Sequence, residues 1–76
     1  MKKVSLEVKE LFALAIREYK NKNLLTAENY YRKILEILPK DLPTLNNLGN
    51  ILGEQKKYKE AIFYFEKALD NNPQDI

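Results

Sequence analysis

Three asparagines that lie close together, Asn46, Asn47 and Asn50, have the chemistry in this sequence best suited to binding another molecule. A carboxamide both donates and accepts hydrogen bonds. On one face of a rigid helix, such groups can pair with the backbone of an extended peptide and require no particular side chain from it. The alternative is a solvated helix face that binds nothing, and the residue types fit both interpretations.

The sequence offers few groups for catalysis. It contains no cysteine and no histidine, which excludes a typical zinc site, a cysteine nucleophile and a histidine general base. It also has no glycine-rich loop and no nucleophile elbow. Glu28 near Tyr31, and Glu60 near Tyr64, show only the spacing of neighbouring helical turns. We therefore predict that the protein is not an enzyme and that it has no metal and no cofactor.

The charge distribution does not indicate a nucleic-acid partner. The 13 lysine and arginine residues are balanced by 11 acidic residues, which gives a net charge of +2, too small an excess for a surface that follows phosphates. Nucleic-acid binding would also favour aromatic residues between the charges, and Tyr58 is the one such residue. Solvated turns explain the lysines near the two predicted turns, which are Lys20, Lys22, Lys56, Lys57 and Lys59.

Neither a membrane span nor a signal peptide is predicted. The longest apolar run near the N-terminus, residues 11–16, is far shorter than the roughly 20 residues that cross a bilayer. Glu7, Lys9 and Glu10 interrupt the apolar stretch that a signal peptide would need. We therefore expect a cytoplasmic chain, or a piece of a larger one.

The elements that position these residues repeat along the chain. A shift of about 34 residues, which we call the repeat shift, places Ala61 on Ala27, Phe65 on Tyr31 and Pro73 on Pro39. A period of about 34 residues, with a helix, a turn and a helix in each unit, is typical of a repeat array rather than of a closed globule. The sequence therefore predicts two copies of one helical hairpin.

Cap and breaker residues predict four helices. A short polar side chain can accept a hydrogen bond from an unpaired amide in the first helical turn, and proline ends a helix because it disfavours helical geometry in the residue before it. On this basis Ser5, Asn23 and Asp41 cap the first three helices, and Pro39 and Pro73 follow the second and the fourth. The first helix is predicted to end at about Lys20, the second to span 24–38 and the fourth 58–71.

Gly49 lies inside the third predicted helix. Glycine there costs about 1 kcal/mol relative to alanine, so we expect that a neighbouring helix packs too closely at this position to leave room for a side chain.

Two sets of residues recur at matching spacings. The second unit has Leu45, Leu48, Gly49, Leu52, Tyr58, Ala61, Phe65, Ala68 and Pro73, and the first has Leu11, Leu14, Leu24, Ala27, Tyr31, Ile34 and Pro39. These spacings resemble the tetratricopeptide repeat across the whole second unit. The first unit follows them more loosely, with Ala15 in place of a glycine and Glu18 in place of a large apolar residue. The resemblance implies an all-α fold of two stacked antiparallel helical hairpins, a tetratricopeptide-type solenoid, in which residues 1–76 form a single domain with repeats at 8–41 and 42–75.

The resemblance also implies a protein-interaction module that binds a peptide or a partner helix on its concave face. Asn47 is located where some arrays of the family place an asparagine that binds a peptide backbone. A clamp for a terminal carboxylate is not expected, because Phe12 and Ile16 occupy the places of its first lysine and asparagine. The predicted peptide-binding residues are Asn46, Asn47, Asn50, Phe12, Ile16, Lys9, Lys20 and Glu54.

Self-association is the alternative function. The fourth helix has more apolar side chains than one neighbouring helix can cover, and the terminal unit of an array needs a polar outer face. Two copies of the chain could bury these side chains against each other as a homodimer, or the chain could be an excerpt of a longer array. The candidate residues for self-association are Ile62, Phe63, Phe65 and Leu69.

Overall fold

The computed structural model describes residues 2–71, with side chains from Leu6 onward, and this range contains four α-helices. No strand occurs within this range, which confirms the all-α prediction. None of the helices in this range has the length and apolarity needed to cross a membrane. The predicted stop at Pro73 lies outside the described residues. The helices are α1 (Lys2–Lys20), α2 (Leu24–Ile37), α3 (Leu42–Glu54) and α4 (Tyr58–Asp70).

The caps differ from the sequence prediction at two of three helices. Asp41 caps α3 as predicted, since its Oδ2 accepts hydrogen bonds from the backbone N of Thr44 at 3.2 Å and from the Thr44 hydroxyl at 2.6 Å. The prediction that Ser5 caps α1 is wrong, because the helix already begins at Lys2. Asn23 precedes α2, but its side chain makes no capping hydrogen bond to the helix, and its amide nitrogen donates to Glu18 Oε1 at 2.7 Å.

The two inter-helix turns have the same geometry. Lys22 and Lys56, which the repeat shift places on each other, both adopt φ of 65°, in the left-handed region. In the first turn, Asn23 N donates to Glu18 O at 2.9 Å and Lys22 N donates to Tyr19 O at 2.9 Å. The corresponding bonds of the second turn, from residues 57 and 56 to residues 52 and 53, are 2.9 and 3.0 Å long. This pair of bonds is the Schellman arrangement, which satisfies carbonyl groups at the end of a helix.

Small residues allow the helices of each hairpin to approach closely. Ala27 of α2 and Ala61 of α4 occupy equivalent positions and both are buried, as is Ala15 of α1. Larger apolar side chains fill the remaining space, and most of them come from α3. The core therefore lies around α3, between the two hairpins. The larger buried apolar residues are Ile34, Leu48, Ile51 and Leu52, with Leu45 also fully buried.

Gly49 of α3 lies tightly against the ring of Phe65 of α4. A Cβ atom at this position would lie 2.7 Å from Cε1 of Phe65, a distance that would force the ring to move. This confirms the expected close packing. At Gly53, one turn later, a Cβ atom would meet nothing within 4 Å, so only the first glycine is required by packing.

The hairpins stack in chain order. α1 packs against α2, α3 packs against α4, and α2 packs against α3. Every helix therefore packs on its neighbour in the sequence, as expected for a repeat array. The molecule measures 31 × 30 × 17 Å, and α3 joins its two halves.

Candidate functional site

A cavity of about 180 Å³ lies between the two hairpins, and we call it the inter-hairpin hollow. Three of the predicted binding residues, Ile16, Asn47 and Asn50, are brought together there. Apolar and aromatic side chains cover one part of its wall, and carboxamides form another part. The lining residues are Ile16 and Tyr19 of α1, Tyr31 of α2, and Asn47, Asn50 and Ile51 of α3.

Tyr31 and Asn47 are two polar lining residues of the inter-hairpin hollow that are joined by a hydrogen bond. The Asn47 side-chain amide donates to the Tyr31 hydroxyl at 3.3 Å, which links α3 to α2. Among the described residues, the Asn47 carbonyl oxygen and the Tyr31 hydroxyl proton have no other partner. Burial raises the pKa of Tyr31, so its phenol stays protonated at neutral pH. These two residues can thus offer one hydrogen-bond donor and one acceptor to a ligand, and the Asn50 carboxamide in the lining offers both kinds of group as well.

Tyr19 closes one edge of the inter-hairpin hollow. Its hydroxyl donates to Glu54 Oε2 at 2.5 Å, and this bond connects the first hairpin to the end of α3. Glu54 raises the pKa of Tyr19, because it accepts this hydrogen bond and carries a negative charge. Glu54 and Lys20 also line a second cavity, of about 350 Å³, beside the first turn. Two more predicted residues are therefore near the hollow but outside its lining.

Asn46 lies apart from the other two asparagines. It lines a third cavity, of about 310 Å³, with four apolar residues of the second hairpin. Asn46 precedes Asn47 by about 100° around the helix, and this rotation places it on the side of α3 that faces α4, outside the lining of the inter-hairpin hollow. We call this third cavity the outer groove. Its other lining residues are Leu42, Phe65, Ala68 and Leu69.

Phe12 and Lys9 also lie outside the inter-hairpin hollow. The Phe12 ring packs edge-on against Tyr31, with ring centroids 5.6 Å apart and an interplanar angle of 78°. Phe12 thus supports a lining residue from behind and belongs to the margin of the core. Lys9 is exposed on α1 and lines none of the cavities described above.

Sequence reasoning missed Tyr31 as a lining residue of the inter-hairpin hollow. Its repeat position indicates a core residue, and the side chain is indeed buried. The available signal was its hydroxyl, since a buried phenol needs a hydrogen-bond partner. Phe65, at the equivalent position of the second unit, has no such group.

A second polar cluster is centred on Glu28, and the sequence alone did not predict it. Glu28 is only 4% exposed and its carboxylate accepts hydrogen bonds from Arg32 Nε and from Gln55 Nε2, each at 2.7 Å. Lys57 Nζ lies 3.7 Å away. Burial raises the pKa of Glu28, but the hydrogen bonds from Gln55 and Arg32 and the two positive charges outweigh it, so the net pKa is lowered. Glu28 therefore remains ionised inside the fold.

Arg32 extends this cluster to α4. Its guanidinium donates to the Tyr64 hydroxyl at 3.0 Å and lies 5.7 Å from the centre of the Tyr64 ring. Glu60 is 3.9 Å away. The cluster joins α2 to the turn of the second hairpin and to α4, and it uses none of the residues that line the inter-hairpin hollow. Its role is to fix the two hairpins against each other.

The described residues provide no group of three or more acidic, histidine or cysteine side chains that could hold a metal ion. The chemistry of the inter-hairpin hollow consists of hydrogen bonding and apolar contact. These interactions are suited to holding a polypeptide in place.

The fold and the hollow define a helical-repeat protein in which stacked hairpins leave a concave surface between them. Residues 43–75 match the family model of the tetratricopeptide repeat, and this match supports a repeat of that kind in the second hairpin. Repeats of this family generally mediate interactions between proteins and form non-catalytic scaffolds. The comparison with curated proteins gave no match.

Proposed function

We propose that this chain is a protein-interaction module that holds an extended peptide or a partner helix in the inter-hairpin hollow. The observation that supports the proposal is the division of the hollow's wall into an apolar part and a carboxamide part. Ile16 and Ile51 would contact an apolar side chain of the ligand. Asn47 and Asn50 would pair with the ligand backbone beside it.

The size of the inter-hairpin hollow supports a ligand that inserts a single side chain. A dry protein cavity of about 150 Å³ accommodates benzene, and the hollow measures about 180 Å³. One aromatic or branched aliphatic side chain would therefore fill it. A lysine or glutamate inserted there would lose its hydration and find no opposite charge among the lining residues, which are all uncharged side chains.

The other predicted binding residues lie around this central contact. Lys20 and Glu54 would contact a ligand that continues past the first turn, and Lys9 one that continues along α1. Asn46 would be reached only by a ligand that extends onto the outer groove. Two hairpins offer less than the roughly 800 Å² per partner of a standard interface, so we expect weak binding by this module alone.

The test uses peptides selected on the wild-type chain from a displayed random library. Replacing both Asn47 and Asn50 with alanine removes two neutral hydrogen-bonding groups, each worth about 1 kcal/mol. We therefore expect the selected peptides to bind the double variant at least about tenfold more weakly. Asn29→Ala changes an exposed asparagine of α2, outside the hollow, and is the matched control.

Undiminished affinity for the double variant, at unchanged helicity, would show that the hollow does not bind the peptide backbone. The selected peptides themselves give a second test. They are expected to share one apolar or aromatic position, and charge is not expected at that position.

We also propose that residues 8–41 form a diverged first repeat, within a single domain of residues 1–76. The two turns support this assignment, because their backbone angles and hydrogen bonds agree when the repeat shift is applied. The departures are confined to a few side chains. Glu18, for example, takes the place of the buried Leu52 and binds Asn23 instead of filling the core.

Self-association is a second candidate function. The observation that favours it is the exposure of two large aliphatic side chains on α4, where Ile62 is 55% and Leu69 is 68% exposed. Burying such side chains releases about 25 cal/mol per Å² of apolar surface. The mass of the chain across a concentration series tests this candidate.

A further inference from the structure

Apolar residues form a straight stripe along the outer side of α4. Tyr58, Ile62, Phe65 and Leu69 follow one another at spacings of four, three and four residues, the pattern that packs one helix along another. Tyr58 is 60% exposed, and Ile62 and Leu69 are exposed to a similar degree. Phe65 is half-buried against Gly49 and forms the inner edge of the stripe. We call these four residues the α4 stripe.

Phe63, the remaining candidate for self-association, does not belong to the α4 stripe. It lies about 100° further round the helix than Ile62. Its ring packs edge-on against Tyr64, with centroids 5.0 Å apart, and Lys67 Nζ lies 5.6 Å from its centre. The grouping of Phe63 with the other three candidates is therefore not supported by their placement on the helix.

The first hairpin shows that a helix fits on this surface. The repeat shift relates the α4 stripe to Leu24, Glu28, Tyr31 and Leu35 of α2. Glu28 and Tyr31 are buried, and both bond to α3 or the turn after it. The α4 stripe and the outer groove beside it thus continue the α2–α3 interface by one repeat.

The first helix of another copy is a poor cover for the α4 stripe. α3 packs on the first hairpin, and Thr44 and Ile51 of α3 are both buried. The equivalent residues of α1 are Glu10 and Arg17, both exposed. Head-to-tail stacking would bury these charges against Ile62 and Leu69 without an opposite charge, which is costly.

We infer that two copies of this chain associate through their α4 stripes, antiparallel and about a two-fold axis that passes between Ile62 and Phe65. This inference rests on the second candidate function, self-association. In this arrangement Ile62 lies on the partner's Phe65, and Tyr58 lies on the partner's Leu69.

Charge complementarity supports this orientation. Lys59 follows Tyr58, and Glu66 follows Phe65, so both charges border the α4 stripe on the same side. The antiparallel two-fold arrangement places Lys59 beside the partner's Glu66, and the symmetry repeats that pair. Neither residue forms an ion pair with another described residue of its own chain. Both charges are therefore available for pairing between copies.

The same geometry limits the assembly to two chains. A two-fold interface uses the same surface on both copies and closes, whereas head-to-tail contacts continue into filaments. A helix of 13 residues is about 20 Å long, so the contact is smaller than a standard interface. We therefore expect a weak dimer. Its dissociation constant is best measured at low salt, with protein concentrations from micromolar to millimolar.

Charge reversal tests the orientation. Lys59→Glu or Glu66→Lys alone turns two attractive exposed pairs into repulsive ones, and each variant is expected to dimerise about tenfold more weakly. An equal mixture of the two variants restores both attractive pairs, as does the double variant, so both are expected to dimerise like the wild type. Sedimentation equilibrium measures all four samples, and circular dichroism checks that each remains helical.

The results separate the possible occupants of the stripe. A mixture that dimerises no better than the single variants would overturn the antiparallel arrangement. A molecular mass that rises beyond that of a dimer as the protein concentration increases would indicate head-to-tail stacking and overturn the two-fold dimer. A monomeric mass at every concentration would overturn both the dimer and self-association. Leu69→Lys is expected to abolish the dimer, while Leu25→Lys, at a leucine of α2 that is 61% exposed, leaves it intact. Peptide binding in the inter-hairpin hollow is measured separately and does not depend on these variants.

Discussion

The side-chain amide of Gln55 donates a 2.7 Å hydrogen bond to the carboxylate of Glu28, and this bond joins the two hairpins across 27 residues of chain. Arg32 donates to the other oxygen of the same carboxylate. A buried carboxylate is favourable only when such partners replace its hydration. The stacking of the hairpins and the ionisation of Glu28 therefore depend on each other.

The stability of the protein is expected to depend on pH through Glu28. Its pKa in the folded state is lowered, so its contribution is fully present above the unfolded value of about 4.3 and is lost as the pH falls through the folded value. Glu28→Gln is expected to lose about 1–2 kcal/mol at neutral pH. Urea unfolding at several pH values measures both effects.

The difference between wild type and Glu28→Gln should shrink on acidification, because protonation then removes the charge that the variant already lacks. Glu36→Gln, at an exposed glutamate of the same helix, is the control. A constant difference down to the lowest pH at which the protein stays folded would contradict the role given to Glu28.

Glycine in the two turns is expected to stabilise the protein. Lys22 and Lys56 adopt a left-handed backbone conformation, which costs a residue with a side chain roughly 1–2 kcal/mol. The greater freedom of glycine in the unfolded chain offsets about half of the gain. Lys22→Gly and Lys56→Gly should each add about 0.5–1 kcal/mol to the free energy of unfolding.

Thermal and urea unfolding of the two single variants and of the double variant measure this effect. The gains should add, because no hydrogen bond joins the two turns among the described residues. Lys33→Gly, inside α2, should instead lose about 1 kcal/mol. A loss of stability at either turn would mean that the lysine side chain contributes more than its backbone conformation costs.

Alanine at the two glycines of α3 is expected to have opposite effects. At Gly53 the new methyl group meets open space, so Gly53→Ala should stabilise the protein by about 1 kcal/mol through helix propensity. At Gly49 the same methyl group would collide with Phe65. Overpacking costs about 1–3 kcal/mol, which exceeds the gain in propensity.

Urea unfolding of both glycine variants gives the comparison, and each variant is the control for the other. Gly49→Ala combined with Phe65→Leu should recover part of the loss, since the colliding ring atoms are then absent. Equal stabilisation at the two positions would show that the approach of α4 to α3 is looser than 2.7 Å implies.

Loss of the Tyr31 hydroxyl is expected to weaken binding more than folding. Tyr31→Phe keeps the ring and its packing on Phe12, but leaves the Asn47 amide without its partner. The half-buried amide can still turn to water, so stability should fall by about 1 kcal/mol or less. Selected peptides should bind several-fold more weakly, because Asn47 is no longer held in place.

Fluorescence anisotropy of a labelled peptide and urea unfolding measure the two effects of Tyr31→Phe. Tyr30→Phe, at the neighbouring residue outside the inter-hairpin hollow, is the matched control. A large loss of stability with unchanged peptide affinity would assign Tyr31 to the core alone.

Much of the fold could be predicted from the sequence because its signals are local or recur at a fixed spacing. The repeat shift, the small residues Ala27 and Ala61, and the cap at Asp41 can all be read without knowing which helices touch. The prediction that Asn23 caps α2 was wrong, because its side chain can bond either to the first amides of α2 or to Glu18 and the sequence does not distinguish the two. The position of Ser5 was equally ambiguous, since a serine can also lie inside a helix.

The site was less predictable because it depends on contacts between distant residues. The asparagines of α3 were singled out by their chemistry, and the rotation of the helix then separates Asn46 from Asn47. Nothing near Glu28 in the sequence reveals Gln55 as its partner. Such a pair becomes visible only when the stacking angle of the two hairpins is known.

Glu54 and Gln55 are consecutive residues, yet they bond to different helices of the first hairpin, Glu54 to Tyr19 of α1 and Gln55 to Glu28 of α2. The opposite end of α3 is held by the short connection that follows α2. A hinge rotation that separates the hairpins at this end of α3 must therefore break both of these hydrogen bonds. A ligand of the proposed kind would therefore meet a curvature that is already fixed, and little conformational entropy would remain to be lost on binding.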